Sequence, residues 1–452
     1  MTVAVPSRGS QMARLSPVWP HYTDIEAERG EGVYVYARGG RAYLDFTSGI
    51  GVTSTGHCHP RVVAAVQRQA ELLLHGQLTV VCHRPILELA RELGDVLPEH
   101  LRCLFFANSG SEAVESAMKL ARHATRRPNV IAFQGGYHGR TLGALSLTSA
   151  KSIYRAGYQP LVAGTFIAPY PYPNPDGTAG DELVDSCLEQ LEVILGTCST
   201  PEETAALIIE PVLGEGGYVV PPRGFLRGLR ETCDRHGLLL IADEVQTGFG
   251  RTGRMFACEH FGVWPDIMVM AKGLASGMPL SGIAASDALM ARWRQGSHGG
   301  TYGGNPVCAA AAVETLRILR EERLVENAER QGALLMRRLR SLLCGSAPIM
   351  QVRGLGLMVA CEFTSPTGTP ASETANRVRK RCLADGLMLT TCGVHDHVVR
   401  WIPPLTVTSR EIEAAVRIFA AALRGEEGTS VATSNGATPG RDRIATGRPR
   451  PL

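Results

Sequence analysis

The segment Asp266-Ile267-Met268-Val269-Met270-Ala271-Lys272-Gly273 is an apolar run of strand length that ends in a single lysine. Burying a lone ammonium group at the end of a core strand is costly, and the group either finds a partner or loses its proton. A neutral lysine amine is a nucleophile, and its commonest use is to form an imine with a carbonyl group. The alternative is a lysine whose apolar stem lies along the core while its ammonium group reaches water. Lys272 alone leaves both interpretations open.

A second apolar run, Gly237-Leu238-Leu239-Leu240-Ile241-Ala242-Asp243-Glu244, precedes the first and ends in carboxylates. Asp243 lies 29 residues before Lys272, which leaves room for one crossover between neighbouring strands. An acid and a lysine at the ends of two core strands are what a pyridoxal phosphate site requires. The simpler alternative is an N-capping aspartate beside a surface lysine.

The composition is that of an ordinary globular protein. The chain has 452 residues, too many for one simple core, and 44% of them are hydrophobic and 20% charged. A net charge of +3 gives no reason to expect nucleic acid or an acidic membrane as a partner. The sequence contains no run of 18 apolar residues and no signal-peptide pattern. The twelve cysteines are scattered without a C-x-x-C pair, which predicts reduced thiols and a cytoplasmic location.

Strand and helix patterns alternate through the middle of the chain. This alternation predicts an α/β fold, with a mostly parallel central sheet covered by helices on both faces and a smaller α+β domain after it. The two ends have too few large apolar residues to order themselves. The predicted division is a disordered N-terminus (1–14), the N-terminal part of a small lobe (15–60), a large cofactor-binding domain (61–320), a C-terminal small domain (321–424) and a disordered tail (425–452).

The stretch Asn108-Ser109-Gly110-Ser111-Glu112-Ala113 joins a predicted strand to a predicted helix. Small residues at this position leave backbone N–H groups free at the positive end of the helix, where a phosphate binds readily. The hydroxyls of Ser109 and Ser111 add donors. The alternative is a plain capping box with Glu112 as the acid of the first turn. A nucleotide P-loop is not expected, because the sequence lacks G-x-x-x-x-G-K-[ST].

The loop Gly135-Gly136-Tyr137-His138-Gly139-Arg140 places an aromatic ring, an imidazole and a guanidinium between glycines. Tyr137 could lie flat on a planar cofactor, and Arg140 could bind a carboxylate through two parallel hydrogen bonds. The alternative is an exposed turn. The triplet His57-Cys58-His59 resembles a metal site only superficially, since adjacent ligands rarely reach one ion, and no metal is expected.

Taken in order, the motifs resemble those of the class III aminotransferases, which are pyridoxal phosphate enzymes of fold type I. The resemblance is closest to the branch that acts on 4-aminobutyrate, ornithine and acetylornithine, and it covers nearly the whole chain from about Gly32 to Leu423. The motifs that carry it are Thr55-Gly56-His57 with His59-Pro60, Asn108 to Ala113, Tyr137 to Thr141, Glu210-Pro211-Val212, Asp243 to Gly253, Lys272 and Gly300 to Pro306.

The resemblance implies a role for each matching residue. Lys272 would form the imine with pyridoxal 5'-phosphate and carry the proton during catalysis, and Asp243 would hold the proton of the pyridine nitrogen. Thr301 would reach the phosphate of the neighbouring subunit, so the resemblance implies a homodimer or a dimer of dimers with shared sites. The other residues expected at the cofactor are Ser109, Gly110, Ser111, Tyr137, His138 and Gln246.

For the substrate, the resemblance implies 4-aminobutyrate or a similar ω-amino acid, with 2-oxoglutarate as the amino acceptor in a ping-pong cycle. Ile50, Arg140, Glu210 and Arg400 match positions that handle substrate in this branch. We expect Glu210 to neutralise Arg400 while the ω-amino acid reacts, and to release it for the carboxylate of the oxoacid. Ornithine or acetylornithine transamination, a mutase or racemase, and a non-catalytic binding protein with this fold remain open alternatives.

Overall fold

The computed structural model describes residues 14–172, 180–343, 349–365 and 367–434. The expected disorder of residues 1–13 and 435–452 therefore lies outside the described residues. The strands are β1 (Ala27–Glu31), β2 (Tyr34–Ala37), β3 (Ala42–Asp45), β4 (Cys103–Ala107), β5 (Asn129–Phe133), β6 (Thr165–Ala168), β7 (Thr204–Ile209), β8 (Leu239–Asp243), β9 (Ile267–Met270), β10 (Ser281–Ala285), β11 (Ile349–Leu355), β12 (Met358–Phe363), β13 (Leu387–Met388), β14 (Thr390–Cys392) and β15 (Val398–Trp401). The helices are α1 (Ser48–Gly51), α2 (Pro60–Leu72), α3 (Arg84–Gly94), α4 (Gly110–Thr125), α5 (Leu142–Leu147), α6 (Asp181–Thr197), α7 (Arg223–His236), α8 (Cys258–Phe261), α9 (Asp287–Met290), α10 (Pro306–Glu321), α11 (Leu324–Arg340), α12 (Ser372–Ala384) and α13 (Ser409–Ser434).

The central sheet has the strand order β4-β10-β9-β8-β7-β5-β6. Strands β9, β8, β7, β5 and β6 run parallel, and β10 is antiparallel to both of its neighbours. One apolar core lies where α4 packs on the sheet, and a second lies where α6 and α7 pack. The predicted α/β fold, mostly parallel with helices on both faces, is confirmed. Within the described ranges, no helix combines the length and the apolar character needed to cross a bilayer.

The remaining strands form two smaller sheets, β1-β2-β3-β13 and β11-β12-β15-β14, which pack with α11, α12 and α13. Strand β13 pairs in parallel with β3, so the N-terminal hairpin shares a sheet with the C-terminal part of the chain. The helix α13 continues to Ser434 and so includes residues 425–434 of the predicted tail. The disorder expected from residue 425 onward stays a prediction.

The carboxyl ends of the parallel strands meet at one edge of the central sheet. Strands β8 and β9 are direct neighbours, with Asp243 opposite Val269. Lys272 follows β9 at the start of a short 3₁₀ turn, and Glu210 follows β7. Ligands of open α/β sheets bind in the crevice outside these strand ends, and the candidate site lies there.

Candidate active site

A cavity of about 320 Å³ opens at this edge of the sheet. It also receives Val52 from the N-terminal part of the chain and Glu215 from the loop after β7. Nine of the residues proposed from the sequence line its wall: Ser109, Gly110, Ser111, Tyr137, His138, Glu210, Asp243, Gln246 and Lys272. Segments far apart in sequence therefore converge on one space large enough for a small planar ligand.

The lysine that ends β9 belongs to the cavity wall. Its backbone φ of 40° lies in the left-handed region, which a residue with a side chain adopts only when the surroundings hold it there. Burial lowers the pKa of the Lys272 amine, and the carboxylates of Glu215 and Glu210 oppose that shift. An amine whose pKa is lowered by burial is suited to act as a nucleophile and as a proton carrier.

The acid that ends β8 is buried and held by its neighbours. The Nδ1 atom of His138 lies 2.8 Å from Oδ2 of Asp243, and the backbone N–H of Val245 donates to Oδ1 at 3.1 Å. Burial alone would lower the pKa of His138, but the hydrogen bond and the charge of Asp243 outweigh it and raise that pKa. The His138 ring therefore supports a negative charge on Asp243, which is the state needed to hold a proton on a pyridine nitrogen.

The N-terminus of α4 has a capping box and also has backbone N–H groups without a partner inside the helix. Ser109 and Glu112 form a capping box, in which the backbone N–H of Glu112 donates to the Ser109 hydroxyl. The backbone N–H of Ala113 donates to the Ser109 carbonyl. Since the first turn of a helix has no internal partners for its N–H groups, those of Gly110 and Ser111 remain for a ligand. The Ser109 hydroxyl serves the cap, and the free backbone N–H groups are the donors that this helix start offers.

The loop after β5 places its aromatic residue in the cavity wall. The backbone N–H of Tyr137 donates to Glu210 Oε1 at 2.7 Å, which fixes the loop to the end of β7. Arg140 is exposed, and its guanidinium carbon lies 5.9 Å from the centre of the Tyr137 ring and 4.9 Å from that of Tyr154. Arg140 thus does not belong to the cavity wall, and its guanidinium lies near these two rings.

The expected ion pair between Glu210 and Arg400 is wrong. Arg400 is buried and pairs with Glu215, while its Nε atom donates to the Thr390 hydroxyl at 2.8 Å. Burial opposes both charges, yet the pairing lowers the pKa of Glu215 and raises that of Arg400. Glu210 lies elsewhere, and its two oxygens accept the backbone N–H groups of Tyr137 and Gly214.

The side chain of Gln246 is buried at the cavity, and its Oε1 atom has no hydrogen-bond partner among the described residues. A buried amide without its hydrogen bonds is unfavourable unless a ligand supplies them. Its Oε1 atom therefore needs a donor, which a ligand or a protonated side chain can supply.

Comparison with known proteins agrees with this geometry. Residues 16–423 match the family model described as aminotransferase class III.

The chain belongs to the class III aminotransferases.

Among its relatives are a 5-aminovalerate aminotransferase from Pseudomonas aeruginosa, 42% identical over 88% of this chain and 92% of that protein, and a 4-aminobutyrate aminotransferase from Escherichia coli, 39% identical over 87% and 92%. A solved amine transaminase from an uncultivated Pseudomonas species, in the form that contains pyridoxal phosphate, superimposes with a TM-score of 0.85 at 33% identity, over 91% of this chain and 97% of that one.

This aminotransferase uses pyridoxal 5'-phosphate as its cofactor. The cavity has what the cofactor needs: the N–H groups of Gly110 and Ser111 for the phosphate, the Asp243 carboxylate for the pyridine nitrogen and the Lys272 amine for the aldehyde. The site of this aminotransferase thus fits its family's cofactor.

Three of the expected residues lie away from the cavity wall, in addition to Arg140. Ile50 is 39% exposed, in the turn of α1 that precedes Val52, and Arg400 lies behind Glu215. Thr301 is exposed in the loop before α10, where it contributes nothing to the cavity of its own chain.

Sequence reasoning missed Glu215 and the hydroxyl of Thr390. The signal for Glu215 was present in Gly214-Glu215-Gly216-Gly217, where an acid stands between glycines in a loop. Thr390 gave no comparable signal, because a threonine in a strand is ordinary.

Proposed function

We propose that this aminotransferase transfers the amino group of an ω-amino acid, 4-aminobutyrate in the first place, to 2-oxoglutarate in a ping-pong cycle. The relatives named for 4-aminobutyrate and 5-aminovalerate support the donor class. The observation that carries the proposal is the buried pair of Glu215 and Arg400 at the cavity. Such a pair lets one pocket accept both a substrate without a carboxylate beside its amine and one that has it.

In the donor half-reaction, Glu215 neutralises Arg400, so that the apolar carbons of an ω-amino acid do not face an unpaired cation. In the acceptor half-reaction, the carboxylate beside the carbonyl of 2-oxoglutarate replaces Glu215 on Arg400 and takes two parallel hydrogen bonds. Thr390 keeps the guanidinium in place in both. Arg140, whose guanidinium lies near the Tyr137 ring, is the proposed partner of the distal carboxylate of either substrate.

The cofactor, when bound, supplies a ring that accepts the electrons left on the substrate carbon. Asp243, supported by His138, holds the proton of the ring nitrogen. Lys272 binds the cofactor between turnovers and moves a proton at the reacting carbon once the substrate has taken its place. Gly110 and Ser111 would hold the phosphate, and Tyr137 would contact the ring.

The active enzyme is proposed to be a homodimer or a dimer of dimers in the cytoplasm, with Thr301 completing the phosphate site of the partner subunit. Two observations support an interface near this loop. The side chain of Tyr302 is 62% exposed, and its ring contacts the His75 ring in a tilted arrangement at a centroid distance of 5.2 Å. The segment of the chain around His75 also carries exposed apolar side chains, which are those of Leu72, Leu73, Leu74, Leu78, Val80, Val81 and Leu87. Apolar patches of this kind mark association surfaces.

A panel of amino donors with 2-oxoglutarate, followed by glutamate formation, tests the proposed substrates. The panel comprises 4-aminobutyrate, 5-aminovalerate, ornithine, acetylornithine and alanine. The proposal expects the two ω-amino acids without a carboxylate beside the amine to give the highest kcat/KM. Preferred turnover of ornithine or acetylornithine would assign the enzyme to that alternative.

One observation favours a second candidate. A relative from Pyrococcus horikoshii named alanine/serine racemase is 39% identical over 88% of this chain. Loss of optical rotation from L-alanine without glutamate formation would support racemisation instead.

A further inference from the structure

Two buried polar side chains of the cavity border Gly214. A Cβ atom placed on Gly214 would lie 2.9 Å from Oε1 of Gln246 and 3.0 Å from Oε2 of Glu210. Both oxygens therefore face the same side of Gly214, and both are acceptors in their ordinary states. Gln246 Oε1 is the atom that lacks a hydrogen-bond partner among the described residues.

The carboxyl group of Glu210 is in surroundings that favour a proton on it. It is 5% exposed, and burial raises its pKa to about 7. The charge of His138 and the N–H groups of Tyr137 and Gly214 act in the opposite direction, and Asp243 adds to the rise. The titratable groups that face Glu210 are Tyr137 and His138 after β5, Tyr170 after β6, Asp243 at the end of β8 and Lys272 after β9.

The proton on Glu210 decides which end of the Gln246 amide turns towards it. A neutral Glu210 has an O–H that donates to Gln246 Oε1, and the amide NH₂ group then points to the cavity. An ionised Glu210 attracts the NH₂ group instead, and the amide oxygen then points to the cavity. The cofactor carries a phenolic oxygen beside the carbon that bonds to lysine, and this oxygen is an acceptor.

We propose that Glu210 is a positioning residue whose proton turns the Gln246 amide, so that Gln246 donates a hydrogen bond to the phenolic oxygen of the bound cofactor. Glu210 thus has a task different from the substrate contact expected from the sequence. The inference rests on the proposed contact between Gln246 and that oxygen. It does not depend on which amino donor the enzyme uses.

Binding of pyridoxamine 5'-phosphate tests the proposal, because this form of the cofactor makes no covalent bond to Lys272. Its dissociation constant from the full-length chain is measured by equilibrium dialysis between pH 6 and pH 8.5. The same measurement is made with the analogue that lacks the phenolic oxygen. The ratio of the two constants cancels the titration of the phosphate group, which both ligands share.

The affinity advantage of the natural cofactor over the analogue should be largest below pH 7 and fall by about tenfold as the pH rises past 7. The reason is that the Gln246 amide then turns its oxygen, an acceptor, towards the phenolic oxygen in place of its NH₂ group. Gln246→Leu should remove both the advantage and its pH dependence. Glu210→Gln, which cannot ionise, should keep the advantage at pH 8.5. Glu244→Gln is the matched control, because Glu244 is equally buried but bonds to Thr247 and to the backbone of Cys258. That variant should behave like the wild type.

An advantage that does not change with pH in the wild-type protein would overturn the proposal, as would a pH dependence that survives in a folded Gln246→Leu variant. Circular dichroism checks the fold of each variant, and the wild-type and Gln246→Leu series decide the matter even where Glu210→Gln does not fold. Failure of the proposed function is visible separately, as an absence of glutamate formation from ω-amino acids by an enzyme that binds its cofactor normally.

Discussion

If Arg400 exchanges Glu215 for the substrate carboxylate, a substitution at this ion pair should affect the rates of the two half-reactions differently. Glu215→Ala leaves a buried guanidinium whose remaining side-chain partner is Thr390. Removing one member of a buried ion pair costs about 3–5 kcal/mol, mostly because the other charge stays buried and unpaired. In the variant, Arg400 is therefore free to bind the single carboxylate of 4-aminobutyrate, which would hold that substrate with its amine away from Lys272.

The size of the effect follows from the contact at stake. A hydrogen bond to a charged group contributes about 1.5–3 kcal/mol, which corresponds to a factor of about 10 to 150 in rate. We expect Glu215→Ala to slow the 4-aminobutyrate half-reaction by this factor. The 2-oxoglutarate half-reaction should be unchanged or faster, because its carboxylate no longer displaces Glu215.

Single-turnover absorbance measurements, with each substrate added to the matching form of the cofactor, give the two rates separately. Arg400→Ala is the mirror variant and should slow the 2-oxoglutarate half-reaction more than the other. Glu215→Gln keeps the shape of the side chain without its charge and should lie between wild type and Glu215→Ala. Equal losses in both half-reactions for Glu215→Ala and Arg400→Ala would mean that the pair is only a structural bridge between segments.

The remaining predictions concern the cofactor, the assembly and the acid stability. Lys272→Ala should still bind the cofactor through its phosphate and ring but lose its lysine-linked absorbance band and turn over at least about 10²-fold more slowly; near-normal turnover would contradict its role. Mixing inactive Lys272→Ala with inactive Thr301→Ala subunits should recover activity through hybrid dimers, whereas no gain over either parent would count against shared sites. Burial acts to raise the pKa of Glu362, but the hydrogen bond from His397 and the charge of Arg353 outweigh it and lower the pKa from 4.5 to about 2. Because this pKa is depressed by folding, the resulting stabilisation of about 3 kcal/mol should be complete above pH 4.5 and disappear as the pH falls towards 2. Glu362→Gln should have a lower free energy of unfolding than the wild type above pH 4.5, and this difference should shrink as the pH falls towards 2. A difference that is equal at pH 3 and pH 6 would refute this assignment.

Strand ends were the part of the site that the sequence predicted well. Asp243 and Lys272 each close an apolar run, and the parallel pairing of β8 with β9 brings the two residues to one edge of the sheet. The signal came from the cost of a charged residue at the end of a buried strand, although each residue alone left a simpler alternative open. The fold was predicted from the alternation of strands and helices, the cofactor from these strand ends and the family resemblance, and both are confirmed by the comparisons.

Loops were predicted less well, because their course depends on contacts that no local pattern encodes. Glu210 and Glu215 lie on the two sides of a turn. Glu210 precedes a proline, and Glu215 stands between two glycines. The structure shows that Glu210 accepts the backbone N–H of Gly214 within this turn, whereas Glu215 pairs with Arg400. The exposed position of Arg140 could not be seen in the sequence either, since its loop could have turned towards or away from the cavity. The role of Thr301 stays a prediction.

The pairing of β3 with β13 has a consequence for how the chain is made. Arg41 contacts the carbonyl of Ala384, and 343 positions separate the two. The backbone N–H of Leu44 donates to the carbonyl of Gly386 at 2.8 Å. A ribosome therefore releases the hairpin of β2 and β3 long before it synthesises the strand that covers its edge. Until then that edge is open to pairing with other chains, and contacts so distant in sequence form late. Val52, just beyond β3, reaches the cavity, so the wall that receives the cofactor is completed only after β13 has been synthesised.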